Sequence, residues 1–240
     1  MNIFPAVDIY GGNVVRLYKG NYDEMTVYGD SPLAVAREFE SAGAKFIHMV
    51  DLEGAKTGGV PNLAHVRKVA QKTSLFVEIG GGIRTMEVLD RYFSRGVFRA
   101  ILGTAAVNDE QFLKEAIAKY GDKIAVGADI KDGFVAIKGW VEKSEYTMRD
   151  FFSKMQSLGV STIICTDISK DGAMRGTNLE MYKALSEEYS LNIVASGGVS
   201  TLSDVLELAK MNIYGAIIGK AYYTGAINLS CAIRLVKNDN

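Results

Sequence analysis

Two aspartates stand at matching places in the two halves of the chain, each after a short apolar run. Asp8 lies in P-A-V-D-I and Asp129 lies in V-G-A-D-I. Two carboxyl groups can act as general acid and general base if their surroundings separate their pKa values. Either residue alone is better interpreted as a structural acid that accepts loop N–H groups. The pair, flanked by the glycine turns described next, favours acid–base catalysis.

Glycine turns occur as pairs in the same two halves. One pair contains Gly81, Gly82, Gly103 and Thr104, and the other contains Gly197, Gly198, Gly219 and Lys220. Glycine allows positive φ and the close approach of an anion, and a following helix offers free N–H groups and its positive dipole end. A tight turn alone would explain one of them. Two pairs at equal spacing predict two phosphate sites, and therefore a ligand with a phosphate at each end.

The two halves of the chain also resemble each other in sequence. The segment G-G-I-R-T at Gly81 returns as G-G-V-S-T at Gly197, an offset of 116 residues. Asp51 and Asp167 are related by the same offset, and so are Gly103 and Gly219. The repeat predicts one acid and one anion-binding turn from each half.

The elements that must position these residues alternate along the chain. Short apolar runs rich in β-branched residues are separated by amphipathic stretches, which predicts a parallel sheet covered by helices. Asn62, Asn108 and Asn178 each open a helical stretch as a candidate N-cap. The predicted strands are Asn2–Val7, Phe46–Val50, Leu75–Ile79, Phe98–Leu102, Ile124–Ala128, Thr162–Thr166, Asn192–Ala195 and Ala216–Ile218.

A length of 240 residues fits two small domains or one α/β barrel. No Pro/Ser-rich or charge-rich linker separates the halves near residues 115–125. We therefore predict a single TIM (β/α)8 barrel domain over residues 1–240, built from two repeated half-barrels of about 1–120 and 121–240. In this architecture the functional residues lie at the carboxyl ends of the strands.

Composition excludes several classes of function. A net charge of −1 and a pI near 6.2 argue against nucleic-acid binding through a basic face. No apolar run approaches the roughly 18 residues of a membrane helix, and no basic leader precedes the first strand. Cys165 and Cys231 share no motif. We expect a cytoplasmic protein without a membrane partner, and a monomer because no exposed apolar stripe stands out.

Several other polar residues have two open interpretations. Asp51 and Asp167 end strands, and loop organisation is at least as good an explanation for them as catalysis. Asp171 either shapes a K-D-G turn or meets a ligand. His48 is more simply a hydrogen-bonded core residue than a catalyst. The chain has two histidines and no Cys/His cluster, so no metal centre is expected.

Loop residues add three candidate ligand contacts. Trp140, the one tryptophan, either closes a small loop core or stacks on a planar ring. Arg16 and Arg84 lie in loops that should surround the barrel mouth, where they could pair with phosphate or carboxamide groups. The sequence contains neither a G-x-S-x-G turn nor a P-loop, which argues against acyl transfer and nucleotide hydrolysis.

Taken together, the motifs resemble the phosphoribosylformimino-5-aminoimidazole carboxamide ribotide isomerases of histidine biosynthesis. The resemblance runs from residue 2 to about residue 225. It is carried by F-P-A-V-D-I-Y-G-G-N-V-V-R-L-Y-K-G, H-M-V-D-L-E-G-A, E-I-G-G-G-I-R-T, L-G-T-A-A-V, G-A-D-I-K-D-G-F-V-A-I-K-G-W, T-D-I-S-K-D-G-A-M-R-G-T-N, A-S-G-G-V-S-T and I-I-G-K-A-Y-Y.

The resemblance implies a cofactor-free Amadori rearrangement of an aminoaldose to an aminoketose, on a small molecule with two phosphoribosyl ends. It implies that Asp8 accepts a proton and Asp129 donates one. It assigns one phosphate to Gly82, Gly103 and Thr104, and the other to Gly198, Gly219 and Lys220. It also implies that Trp140 stacks on the imidazole, and that the centre of the site is lined by His48, Arg84, Thr166 and Asp171.

The sequence departs from the family pattern at few places. Glu53 stands where the family usually has aspartate, and Tyr10-Gly11 stands where an acidic or polar pair is common. Neither position touches the two catalytic candidates. They concern the detailed loop geometry rather than the predicted activity.

Three competing functions remain. The related cyclase that consumes the isomerase's product has the same duplicated barrel, but Ala6, Arg16 and Trp140 all favour the isomerase. A bifunctional relative also isomerises phosphoribosyl anthranilate, an activity that loop adjustments alone can produce. A non-catalytic sugar-phosphate sensor on the same fold would not need both strand-end acids.

Overall fold

The computed structural model describes residues 1–18 and 20–238. Lys19, part of the L-Y-K-G segment quoted above, and residues 239–240, included in the predicted domain, lie outside the described residues.

The described residues form one closed parallel barrel of eight strands. The barrel strands are β1 (Asn2–Tyr10), β4 (Phe46–Asp51), β5 (Phe76–Gly80), β6 (Arg99–Leu102), β7 (Ile124–Lys131), β10 (Thr162–Asp167), β11 (Asn192–Ser196) and β12 (Gly215–Ile218). They follow one another around the barrel in this order, and β12 pairs with β1 to close it. The predicted TIM barrel is confirmed.

Two antiparallel additions extend the first and fifth barrel strands. β1 turns back into β2 (Asn13–Tyr18), which pairs with β3 (Asn21–Gly29). β7 turns back into β8 (Phe134–Ile137), which pairs with β9 (Glu142–Thr147). Because of this pairing, β1 and β7 run beyond their predicted ends.

Helices follow the strands and cover the outside of the barrel. In the described part of the chain they are α1 (Pro32–Ser41), α2 (Leu52–Thr57), α3 (Leu63–Lys72), α4 (Met86–Phe93), α5 (Thr104–Asn108), α6 (Glu110–Tyr120), α7 (Met148–Ser157), α8 (Leu179–Glu188), α9 (Leu202–Lys210), α10 (Lys220–Tyr223) and α11 (Leu229–Asn238), with a 3-10 turn at Gly121–Lys123. None of these described helices is both long and apolar enough to cross a membrane.

The predicted helix caps are correct in part. The Asn178 side chain accepts the Met181 N–H and caps α8, as predicted. Asn62 precedes α3 but makes no cap bond, because its Oδ1 accepts the Gly12 N–H while its Nδ2 donates to Asp51 and Glu53. The prediction for Asn108 is wrong. It ends α5, and Asp109 caps the following helix instead.

Apolar side chains fill both the barrel interior and the layer between strands and helices. The interior cluster contains Phe4, Ala6, Ile101, Ala125, Ile164, Val194 and Ile217. At the amino ends of the strands, Phe46 packs against Phe4 and Phe76 with ring centroids 4.8 and 5.4 Å apart. Polar side chains at the carboxyl ends therefore lie above a filled core, at the mouth of the barrel.

Candidate active site

Asp8 lies near the end of β1 and forms an ion pair with Arg16. Its Oδ2 is 3.0 Å from Nη1 of Arg16, and both side chains are largely buried. The hairpin creates this contact, because β2 brings Val15 opposite Asp8 and Arg16 is the next residue. Burial raises the pKa of Asp8, and the Arg16 guanidinium opposes that rise.

Asp129 occupies the matching position on β7, but the groups that donate hydrogen bonds to it are neutral. Its Cα partners are Thr166 on β10 and Ala136 on β8. Burial raises the pKa of Asp129, and hydrogen bonds from the Trp140 indole and the Thr166 hydroxyl oppose the rise. Trp140 and Thr166, both predicted site residues, thus contact this acid.

The two acids share further electrostatic neighbours. Asp171 raises the pKa of both Asp8 and Asp129, and His48 lowers the pKa of both. Each of these four residues was predicted from the sequence to lie at the site. The structure brings Asp171 and His48 within electrostatic reach of both acids.

The first glycine set, which comprises Gly81, Gly82, Gly103 and Thr104, lies beyond β5 and β6. Gly81 and Gly82 have φ of +106° and +74°. A Cβ on Gly81 would overlap the Asp51 carbonyl, and one on Gly82 would overlap the Gly54 carbonyl. Only glycine fits this close approach of two backbone segments.

Gly103 and Thr104 begin α5 beside the first turn. Gly103 adopts φ −94° and ψ −106°, and nothing would meet a Cβ added there. The Thr104 hydroxyl accepts the Lys138 N–H at 2.9 Å, which ties this turn to the β8–β9 hairpin.

Arg84 is engaged with the α2 segment rather than with the two acids. It is exposed, and its Nη2 donates to the Ala55 carbonyl at 2.9 Å. Its guanidinium also lies against Gly58. Arg84 thus lies in the loop between β5 and α4, at the mouth of the barrel, and a backbone carbonyl holds its guanidinium.

The second glycine set, which comprises Gly197, Gly198, Gly219 and Lys220, follows β11 and β12. Gly197 and Gly198 have φ of +89° and +80°, and a Cβ on Gly197 would come within 2.6 Å of the Asp167 carbonyl oxygen. Gly219 adopts φ −102° and ψ −104°, nearly the conformation of Gly103. Lys220 donates from Nζ to the Gly172 carbonyl at 3.0 Å.

One pocket joins the second glycine set to the charged residues of the site. Its lining includes Gly197, Gly198, Gly219, Lys220, Arg16 and Asp171. Arg16 lies between Asp8 and Gly219. Its Nη1 pairs with Asp8, and its Nη2 lies 2.6 Å from the position that a Cβ on Gly219 would occupy.

Asp51 and Asp167 organise loops, one of the two interpretations left open by the sequence. The Asp51 carboxylate accepts the Gly54 N–H at 2.8 Å and the Asn62 side-chain amide at 2.8 Å. The Asp167 carboxylate accepts the Ser169 N–H at 2.9 Å and the Asn178 amide at 2.7 Å. Their oxygens are committed to loop N–H and amide groups in both halves.

Glu53 supports the turn where the sequence departs from the family pattern. Its carboxylate accepts the Gly11 N–H at 2.7 Å and the Asn62 amide at 2.9 Å. The longer glutamate therefore links the β1–β2 turn to the segment before α3.

Trp140 joins the two hairpins above the barrel mouth. It adopts a positive φ of 72°, and its ring lies so close to Gly20 that a Cβ there would be 2.6 Å from Cε3. The indole thus packs against the turn of one hairpin while its own turn belongs to the other.

Sequence reasoning missed a buried polar chain inside the barrel. His48 contacts Glu78, and Glu78 pairs with Arg99. Glu78 and Arg99 are 1% and 4% exposed. The signal present in the sequence was a charged residue in each of two otherwise apolar strands.

No arrangement of three or more His, Cys, Asp or Glu side chains suited to a metal ion occurs among residues 1–18 and 20–238. A larger cleft, of about 330 Å³, lies at the opposite end of the barrel. It is formed around the amino ends of β11 and β12, between α8 and α9, and contains neither candidate acid.

A parallel eight-stranded barrel with a polar pocket at the carboxyl ends of its strands is the arrangement of the (β/α)8-barrel enzymes. The family model described as histidine biosynthesis protein matches residues 2–228, and the chain belongs to that family.

Curated relatives are similar over almost the whole chain. A protein of Lactococcus lactis subsp. cremoris (strain SK11) is 50% identical over 231 residues, 95% of this chain and 94% of its own length. One of Clostridium acetobutylicum is 48% identical over 237 residues, 99% of both chains. One of Brachyspira hyodysenteriae is 47% identical over 237 residues, 99% of this chain and 100% of its own. Each is named 1-(5-phosphoribosyl)-5-((5-phosphoribosylamino)methylideneamino) imidazole-4-carboxamide isomerase.

Proposed function

We propose that this chain isomerises the same imidazole carboxamide, which carries a phosphoribosyl group at each end, in the biosynthesis of L-histidine. The reaction is an Amadori rearrangement, in which the N-linked aminoaldose becomes the aminoketose. One observation carries the proposal: two strand-end carboxyl groups share Asp171 and His48 as electrostatic neighbours at one barrel mouth.

The partners of the two acids support a division of roles. Asp8 faces a guanidinium, which favours its carboxylate form and suits a proton acceptor. Asp129 is buried, and burial is the main influence on its raised pKa, which suits a group that carries a proton until it donates it. We therefore assign Asp8 as the base and Asp129 as the acid.

The reaction then begins with two proton transfers, one made by each acid. Asp129 protonates the ribose ring oxygen as the C1′–O bond breaks, and the amino nitrogen lone pair forms the C=N bond of a Schiff base. Asp8 removes the proton from C2′, and the electron pair of that C–H bond forms the C1′=C2′ bond as the C=N electrons return to nitrogen. The resulting enolamine becomes the ketone when C1′ takes up a proton and the 2′-hydroxyl loses one, as the C1′=C2′ electrons form the new C–H bond and the O–H electrons form C=O.

The remaining predicted residues would hold the substrate. Each phosphate would bind at one glycine set, the first at Gly81, Gly82, Gly103 and Thr104 and the second at Gly197, Gly198, Gly219 and Lys220. Binding at both ends fixes the reacting carbons between the acids and lowers the entropic part of the barrier. The ribose and imidazole would contact Arg16, His48, Arg84, Trp140, Thr166 and Asp171.

Two experiments test this function. Adding purified protein to the aminoaldose should produce the aminoketose, followed by its absorbance, and absence of that product at any enzyme concentration refutes the activity. Calorimetry should show much tighter binding of the bisphosphorylated ligand than of an analogue that lacks one phosphate. Equal affinities would refute the two-site arrangement.

We extend the proposal to assembly and location. We propose a cytoplasmic protein that acts as a monomer. Both acids and both glycine sets lie at the mouth of a single barrel, so the proposed reaction needs no residue of a second chain. Light scattering after size exclusion should give one chain mass of 26.1 kDa. A dimer mass at assay concentrations would contradict it.

A further inference from the structure

A chain of polar side chains crosses the barrel interior below the two acids. His48 Nδ1 lies 2.7 Å from Glu78 Oε1, and Arg99 Nη1 lies 3.3 Å from Glu78 Oε2. Arg99 Nη2 in turn donates to the Tyr214 hydroxyl at 3.4 Å. Each oxygen of the Glu78 carboxylate therefore serves a different neighbour.

The sheet register places His48, Glu78 and Arg99 in one layer of the barrel interior. His48 is the Cα partner of Ala6 on one side and of Glu78 on the other, and Glu78 is the partner of Arg99. Ile47 and Met49 pack between the strands and the helices, so the alternation of a strand directs His48 into the barrel. His48 reaches upward to influence Asp8 and Asp129, while Glu78 and Arg99 lie buried beside it.

Buried charges are costly unless they are paired and hydrogen-bonded. Apolar side chains fill the rest of this interior, so an ion pair is not needed to pack the barrel. The acid–base steps described above use neither Glu78 nor Arg99. The contact of Glu78 with His48, and of Arg99 with Glu78, offers a reason for their presence.

We propose that Glu78, held by Arg99, is a positioning residue that keeps a proton on Nδ1 of His48. A carboxylate paired with a guanidinium can only accept hydrogen bonds, so the ring must present an N–H to it. The hydrogen bond made by one ring nitrogen decides which nitrogen is protonated. Nε2 is then the nitrogen that remains for a ligand, and in the neutral ring it carries the lone pair.

The consequence for the site rests on the proposed isomerase function. A lone pair at Nε2 accepts a hydrogen bond from a sugar hydroxyl. The other tautomer would present an N–H donor at Nε2 instead. Charged groups near His48 include Glu78 on β5, Asp8 on β1 and Asp129 on β7, with Arg99 on β6 next to Glu78. Of these, Glu78 alone makes a direct hydrogen bond to the ring among the contacts of the described residues.

The tautomer can be observed directly by NMR on the unliganded protein. The chain has two histidines, so imidazole ¹⁵N spectra contain two spin systems, and His65→Gln assigns them. We expect the wild-type His48 ring, when neutral, to carry its proton on Nδ1. A proton on Nε2, or on both nitrogens throughout the pH range of activity, overturns the proposal.

Glu78→Gln keeps the shape but offers an amide that can donate or accept. We expect a mixture of His48 tautomers and a fall in kcat/KM of about tenfold, the effect of losing roughly one substrate hydrogen bond. An unchanged Nδ1–H tautomer overturns the proposal, since the position of the proton would then not depend on the Glu78 carboxylate.

A second variant guards against misfolding. Glu78→Gln leaves Arg99 unpaired, so Glu78→Gln combined with Arg99→Met removes both charges and is expected to show the same tautomer mixture. The spectra need no substrate. If the wild-type protein lacked isomerase activity but kept the Nδ1–H tautomer, the proposed function would fail and the positioning role would stand.

Discussion

Asp8 and Asp129 occupy the same backbone position in the two halves of the barrel, yet their neighbours differ in charge. Asp8 pairs with Val15, and Asp129 with Ala136, at the start of equivalent hairpins. In the first half the hairpin delivers a guanidinium to the acid, and in the second half it delivers an indole. Similar scaffolds thus give two carboxyl groups different electrostatic environments.

Where the scaffold has a purely structural task, the halves agree closely. Asp51 binds the Asn62 side chain, and Asp167 binds the Asn178 side chain, at 2.8 and 2.7 Å. Gly103 and Gly219 share nearly the same backbone angles. We propose that the halves, about 1–120 and 121–240 of one domain, arose from one duplicated unit whose supports were kept while its side chains at the mouth diverged.

Removing either proposed catalytic acid should have the largest effect. Asp8→Asn and Asp129→Asn keep side-chain size but cannot exchange protons, so kcat should fall by about 10³-fold or more while ligand binding survives. Steady-state assays and calorimetry measure the two effects. Asp122→Asn, at an exposed turn, is the matched control and should keep full activity. Near-normal turnover in either variant would remove that residue from the mechanism.

The two phosphate sites should differ in strength, because the second contains a cation. Lys220→Met should weaken binding of the bisphosphate by about tenfold or more, since a hydrogen bond to a charged group is lost. Thr104→Val at the first site should cost several-fold less. Dissociation constants from calorimetry test this order. A larger loss for Thr104→Val would reverse the comparison.

The two asparagine variants should also differ in stability. The folded-state pKa of Asp129 is raised above its ordinary value, mainly by burial. The favourable effect of its protonation is therefore present at low pH and lost as the pH rises through the folded-state pKa. At neutral pH, Asp129→Asn should be more stable than wild type by on the order of 1 kcal/mol, a Tm increase of about 2–4 °C.

That gain should disappear as the pH falls below the ordinary range of aspartate. Asp8→Asn should show a smaller gain or a loss at neutral pH, because Arg16 would lose its buried partner. Thermal melts from neutral to acidic pH measure both variants. A larger gain for Asp8→Asn would contradict the charge difference on which the comparison rests.

The barrel and the strand-end acids could be predicted because both leave strong local patterns. Apolar runs bounded by polar residues gave all eight strands, and the repeat drew attention to Asp8 and Asp129. The pairing of Arg16 with Asp8 could not be predicted, because it depends on the register of the hairpin. Glu78 and Arg99 were missed because a charged residue in a strand resembles an outward-facing one until the barrel closes.

The assignment of base and acid is tested most directly by a substrate that carries deuterium at C2′. If Asp8 removes that proton, residual turnover by Asp8→Asn should show a large primary isotope effect, because proton removal has become the slow step. If Asp129 opens the ring, turnover by Asp129→Asn should show an isotope effect that approaches unity. The reverse order of the two isotope effects would contradict the assignment.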